Sequence, residues 1–169
     1  ARTMGELKVL FPTARIFECY GITEGFITLA SPEDKALAGK ERTVGLPMFG
    51  GEIVILDDEG HALPAGEVGD ITGYGPALMK GYYRRPDITA KMIWRDALGR
   101  TFLRSGDLGH VDTQGYLYIS GRIKDMIKSG GENIYPPEIE QVIAELNGVA
   151  EVAVIGVPDE HWGEAAAAY

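Results

Sequence analysis

The 169-residue sequence predicts an α+β fold, a mostly β part followed by the opening of a small α/β part. Three observations predict it. Short runs of branched and aromatic residues, punctuated by glycine turns, recur through the first 120 residues. Ile139, Val142, Ile143 and Leu146 then recur at helical spacing behind Pro136 and Pro137. A nearly unbroken apolar run at 149–157 follows, so a helix feeds a buried strand. The character of the chain changes near residues 121–125. That places a boundary between a unit of residues 1–121 and a unit of residues 122–169.

The elements follow in order. Residues 15–20 (RIFECY) run into Gly21 like a buried strand entering a turn, and residues 31–43 are polar enough to read as a surface loop. Residues 52–56 (EIVIL) form a strand closed by the DDEG turn, and residues 68–73 pair with it. Pro86 opens a short helix over 88–94. Residues 101–104, 109–112 and 116–120 read as three strands, the last two joined by a turn at 113–115. The helix after Pro137 carries Glu138 and Glu140 in its first turn, where the helix dipole favours negative charge, and Asn147-Gly148 stops it. Residues 164–169 end without a cap or breaker, as expected of a piece of a longer chain.

Composition excludes several classes. A formal charge of −9 argues against nucleic-acid binding, which needs a broad basic surface. Within that acidic total, residues 80–128 hold ten Lys/Arg against five Asp/Glu, either a solvated face or a place for a small polyanion. No apolar run approaches the roughly 20 residues that span a bilayer, so no transmembrane segment is expected. The lone cysteine, Cys19, has no internal disulfide partner, which fits a cytoplasmic protein; it reads as a small buried hydrophobe. His61, His110 and His161 lack metal-ligand spacing, and Trp94 and Trp162 read as packing residues.

Three segments carry chemistry. In Tyr20-Gly21-Ile22-Thr23-Glu24-Gly25, a glycine lets backbone approach a flat ligand, Thr23 can donate to a phosphate oxygen, and Glu24 offers oxygen to Mg²⁺. In residues 102–109 (FLRSGDLG), Asp107 sits where a carboxylate can accept hydrogen bonds from vicinal hydroxyls. In residues 121–140 (GRIKDMIKSGGENIYPPEIE), Arg122 offers a planar fork, Lys124 and Lys128 lie four apart, and Gly130-Gly131 leave room for a slender ligand arm. Taken singly, each is also compatible with an ordinary turn, and the third with a basic hairpin or a helical face.

In this order and spacing, YGITEG, RSGDLG and GRIKDMIKSGGENIYPPEIE resemble the motifs of the adenylate-forming superfamily of AMP-dependent ligases, which includes the acyl- and aryl-CoA synthetases. VGLP, GEVGDI and GYYRRPDIT resemble its connecting sequence, so the likeness covers essentially the whole chain. It implies that residues 1–121 are the C-terminal part of a large AMP-binding domain, and that residues 122–169 begin a small C-terminal domain. It implies the cofactors and substrates ATP/AMP, Mg²⁺, coenzyme A and a carboxylic acid. Tyr20 and Gly21 would flank the adenine and acyl groups, Thr23 would contact the α-phosphate, and Glu24 would bind Mg²⁺. Asp107 would hold the ribose with Arg122 assisting, and Ile119 would pack near the base. Lys124 would be the hinge, Gly130 and Gly131 would line the pantetheine channel, and Lys128 would face the site in the thioester-forming state.

The expected activity is acyl-adenylate formation followed by thioester formation. The alternatives are an adenylation domain loading a carrier protein and a non-catalytic nucleotide-binding module. The family's upstream Ser/Thr/Gly-rich phosphate loop and its C-terminal lysine lie outside these residues, and RSGD replaces the commoner threonine form. The isolated piece is therefore expected to be inactive, and its uncovered surfaces are expected to make it self-associate.

Overall fold

A computed structural model describes residues 2–48 and 50–169. The fold is α+β, built from three antiparallel sheets with few helices. Helix α1 (Arg2–Leu10) leads to a hairpin of β1 (Glu18–Gly21) and β2 (Ile27–Ala30), and β3 (Leu46–Pro47) pairs with β2. Strand β1 starts later than the sequence suggests and is only half-buried, with Cys19 exposed. Its burial alternates, with Glu18 and Tyr20 partly covered and Cys19 and Gly21 exposed, so one face alone is covered.

Residues 31–43 are not a loose surface loop. They carry α2 (Pro32–Lys35), started by a reciprocal capping box between Ser31 and Asp34. The segment is then pinned by two buried polar groups. Lys40 pairs with Asp112 and lies 4.5 Å from the Tyr116 ring centroid, and the Thr43 hydroxyl donates to the Leu117 carbonyl at 2.8 Å. Polarity misleads here because each buried group has its own partner.

The central sheet contains β4 (Glu52–Leu56), β5 (Gly69–Tyr74), β6 (Ile93–Arg95), β7 (Thr101–Val111) and β8 (Leu117–Arg122). Its order is β4-β5-β7-β6, and β8 pairs with the second half of β7. Helix α3 (Pro86–Met92) stops before Trp94, which belongs to β6. The Trp94 ring meets Phe102 edge-on at 5.3 Å and its N–H donates to the Gly60 carbonyl at 2.9 Å, so packing overrides the helical pattern. The two strands expected at 101–104 and 109–112 are one strand, β7. Its register against β5 shifts between Arg104 and Leu108, leaving Ser105, Gly106 and Asp107 bulged out of the ladder.

After a 3₁₀ turn (Ile123–Asp125) comes a separate four-stranded sheet of order β10-β9-β12-β11. It holds β9 (Ile127–Ser129), β10 (Glu132–Ile134), β11 (Val154–Asp159) and β12 (Gly163–Ala168), with α4 (Pro136–Ala144) between β10 and β11. The strand expected at 149–157 begins only at Val154, whose N–H is bonded at 2.8 Å by the Glu140 carboxylate of α4. Glu140 thus tethers a strand, beyond the dipole role its position suggests. Residues 164–168 form β12, antiparallel to β11. Among the described residues no helix is long and apolar enough to cross a membrane.

Phe26, Ile55, Ile71 and Leu117 form the buried core that joins the first two sheets, and Tyr20 and Ile22 pack against it. Gly73 belongs to this junction: a Cβ there would stand 2.1 Å from the Phe26 ring. The core therefore fixes the β1–β2 turn against the bulge of β7, and the candidate site lies at that meeting.

Candidate functional site

Tyr20 reaches the bulge directly. Its hydroxyl donates to Asp107 at 2.8 Å, across 87 residues of sequence. Burial raises the Tyr20 pKa, and the Asp107 charge adds to the rise, so the phenol stays protonated and remains a donor. Asp107 lies opposite Arg122 in the β7–β8 register, and the Arg122 Nε stands 3.4 Å from the other carboxylate oxygen. Asp107 is largely covered while the Arg122 side chain is 61% exposed, so the guanidinium is free to move.

The bulge itself is built by hydrogen bonds. Ser105 Oγ donates to the Ile71 carbonyl at 2.7 Å and accepts the Asp107 N–H at 3.0 Å. Gly106 takes φ 76°, a left-handed conformation that glycine adopts freely, with open space where a Cβ would be. The serine of RSGD thus supplies the contact that a threonine hydroxyl can also make.

On the other wall, Gly21 is required by close approach, since a Cβ would come within 2.6 Å of the Phe26 carbonyl oxygen. Thr23 is exposed on the turn that follows. Glu24 is half-buried and accepts a hydrogen bond from the Tyr82 hydroxyl, and its carbonyl accepts the Met79 N–H at 2.7 Å. Tyr82 lies in GYYRRPDIT, where no sequence signal marks a role for it. The contact raises the Tyr82 pKa, keeping that hydroxyl a donor too.

Tyr20, Asp107 and Arg122 are therefore brought into direct contact, with Gly21, Thr23 and Glu24 on the adjoining turn. Ile119 is partly exposed on β8, in register with Gly109. The remaining candidates belong to the other sheet or the link to it. Lys124 is exposed in the 3₁₀ turn. Lys128 exposes its side chain on β9, and its N–H donates to Glu164 at 2.8 Å. Gly130 and Gly131 form the β9–β10 turn, both at positive φ, and a Cβ on Gly130 would strike the Trp162 ring at 2.4 Å. None of these four makes a direct polar contact with Asp107 or Glu24.

His110, read as a packed strand residue, stacks on Tyr118 at 4.9 Å. His61 does have acidic company: ligand atoms of Asp57, Glu59 and His61 lie within 4.8 Å of one another on the exposed β4–β5 turn. Asp57 there accepts the His61 N–H at 2.7 Å, which closes the turn without any ion.

Comparison with known proteins places the chain among relatives. The profile of the AMP-binding enzyme family matches residues 1–83, and that of its C-terminal domain matches residues 138–169. A long-chain-fatty-acid–CoA ligase of Mycobacterium tuberculosis is 45% identical over 155 residues, 90% of this chain and 29% of that protein. A feruloyl-CoA synthase of Amycolatopsis is 42% identical over 145 residues, 86% of this chain and 28% of that protein. The o-succinylbenzoate CoA synthetase of Bacillus subtilis, solved with its acyl-adenylate intermediate, superposes with a TM-score of 0.85 at 36% identity, covering 99% of this chain and 33% of that one. The same enzyme solved with ATP and magnesium ion gives a TM-score of 0.79 at 38% identity, covering 92% and 31%. The chain thus spans about a third or less of the length of the proteins it matches. With two profiles in sequence order and a shared fold at these identities, the chain belongs to the AMP-binding, adenylate-forming enzyme family.

Proposed function

We propose that this chain is the nucleotide-gripping and hinge part of an ATP-dependent acyl- or aryl-CoA synthetase. The observation that carries the reading is the contact of Tyr20, Asp107 and Arg122, which joins all three motif segments at one carboxylate. An ionised carboxylate has about four lone-pair sites, and Tyr20 and Arg122 use two, so Asp107 can still accept two hydroxyl donors. That fits a ribose diol. Glu24 has one oxygen on Tyr82 and another left for a cation, which fits Mg²⁺, a hard ion preferring oxygen.

On this reading Asp107 and Arg122 orient the ribose, Tyr20 and Gly21 flank the base and the acyl group, and Thr23 donates to the α-phosphate. Ile119 supplies apolar surface near the base. Bound ATP and Mg²⁺ supply the electrophilic phosphorus and the charge that eases pyrophosphate departure. The residues here position and neutralise; none needs to form a covalent bond. A substrate carboxylate oxygen bonds to the α-phosphorus as the bond to pyrophosphate breaks. The coenzyme A sulfur then bonds to the acyl carbon as the bond to AMP breaks, and the thiol proton goes to solvent. The boundary at 121–122 and the exposed Lys124 suit rotation of the second sheet between these steps. Such rotation would bring Lys128 and the Gly130-Gly131 turn to the thiol. The free Cys19 thiol fits a reducing, cytoplasmic setting.

The names of the relatives span fatty, cinnamic-type and benzoate-derived acids, so the substrate class proposed is a carboxylic acid in general. The test is a panel of such acids on the full-length protein, scored by pyrophosphate release with and without coenzyme A. Release with at least one acid is expected, with Asp107→Ala lowering it by roughly a hundredfold or more. No release with any acid would remove the ligase reading. Release without a coenzyme A thioester would redirect it to a carrier-protein thiol.

A further inference from the structure

Asp70 is the one carboxylate of the central sheet that is almost wholly enclosed, 6% exposed on β5. Nothing so far gives it a task. Its Oδ2 stands 3.3 Å from the Arg104 Nη1, whereas its Oδ1 is buried without a hydrogen-bond partner. A buried carboxylate is costly to keep, so its position calls for an explanation.

The position is informative. Asp70 pairs with Leu108 on one side of the bulge, and Arg104 pairs with Thr72 on the other. The Asp70–Arg104 contact therefore spans the base of the loop that carries Ser105, Gly106 and Asp107. Ser105 closes the same loop by its bond to the Ile71 carbonyl. The guanidinium lies against the β4–β5 turn, where a Cβ on Gly60 would stand 3.2 Å from its Nη2. A side chain there would crowd it.

We propose that Asp70 is a positioning residue for the nucleotide site: through Arg104 it clamps the base of the β7 bulge and so holds Asp107 at the height the ribose requires. This rests on the reading of Asp107 as the ribose ligand. The clamp needs Asp70 ionised. Burial pushes its carboxyl up to about 6; Arg104 and the Gly106 N–H pull the other way, and the Asp107 charge adds to the rise. From β1, Tyr20 faces the same charge as a neutral phenol. Asp70 borders a cleft of about 440 Å³. From the β4–β5 connection, Asp57, Asp58, Glu59 and Glu67 also line that cleft. Tyr135, beyond β10, lines it as a neutral phenol, its pKa raised by burial. Arg104 is the only cation among the cleft's described lining residues, so the clamp weakens as pH falls through about 6.

The experiment measures AMP affinity of the full-length protein by calorimetry from pH 5 to 7.5, for wild type, Asp70→Asn, Arg104→Gln and Asp107→Ala. Asp70→Asn is expected to bind AMP roughly tenfold more weakly at pH 7.5, the loss of one hydrogen-bonded charge pair. The ratio to wild type should shrink towards one at pH 5, where Asp70 is itself protonated; taking a ratio cancels the phosphate's own titration. Arg104→Gln should give the same loss at pH 7.5 from a side chain already part-exposed, which guards against a folding defect in the first variant. A ratio that is one at pH 7.5, or equal at both ends of the range, overturns the inference. Unchanged affinity in Asp107→Ala would overturn the site reading beneath it, a separate outcome visible in the same titrations.

Discussion

At Asp70 the protein keeps a charge where water hardly reaches, and the sign of its effect on stability follows. Its folded pKa, about 6, lies above the ordinary carboxylate value of 3.8. A group raised in the folded state contributes stability fully present below its unfolded pKa and lost as pH rises through the folded one. At pH 7.5 the ionised form is therefore a net burden, and Asp70→Asn should stabilise the full-length protein by on the order of 1–2 kcal/mol. The gain should vanish near pH 4, where both side chains are neutral. Thermal melting across that range checks it; a variant that melts lower at pH 7.5 would mean that attraction to Arg104 outweighs burial. The same substitution should thus strengthen the fold while loosening the nucleotide. Residue by residue, the sequence singled out Asp107, Arg122 and Glu24 because they lie in dense motifs. It hid Asp70 and Tyr82, which sit in connecting stretches and gain meaning only from a partner 34 and 58 residues away.

Among the elements, the β9–β10 hairpin makes the most specific demand on sequence. Gly130 and Gly131 have φ of 57° and 90°, the left-handed pair of a tight turn, and Gly130 also leaves space for the Trp162 ring. Gly130→Ala should cost roughly 1–2 kcal/mol through strain and the displaced indole. If the turn meets the thiol arm, thioester formation should slow by roughly tenfold while acid-dependent pyrophosphate release stays within about twofold. Tryptophan fluorescence and the two partial reactions read these separately, and equal slowing of both would remove the hairpin from the second step. The pattern of branched and aromatic runs between turn signals made β4, β5 and the β7–β8 pair legible. It failed where long-range pairing decides. Trp94 is drawn into β6 by Phe102, residues 105–107 continue one strand through a bulge, and β11 starts only at Val154, where Glu140 and the pairing with β12 hold it.

Over the whole molecule, apolar surface remains that the described residues do not cover. Val9, Leu10 and Phe11 at the end of α1, Val142 on α4 and Leu146 just beyond it are each more than half exposed. Half of the helical stripe read in the sequence thus finds no partner here, while Ile139 and Ile143 are partly covered. Residues 1–169 prepared alone should self-associate, and Val142→Gln with Leu146→Gln should reduce it; a monodisperse monomer of the unaltered piece in light scattering at high concentration would contradict this. The joining of three distant motifs at one carboxylate could be anticipated only from the family resemblance, since no local pattern says that residues 20, 107 and 122 meet. Cys19 offers a way to watch that meeting. It is the one cysteine of these 169 residues, exposed, and adjacent to Tyr20 on a strand whose neighbouring side chains point to opposite faces. A maleimide dye attached there would lie on the outer face of β1, reporting ligand arrival from behind the wall without obstructing the door.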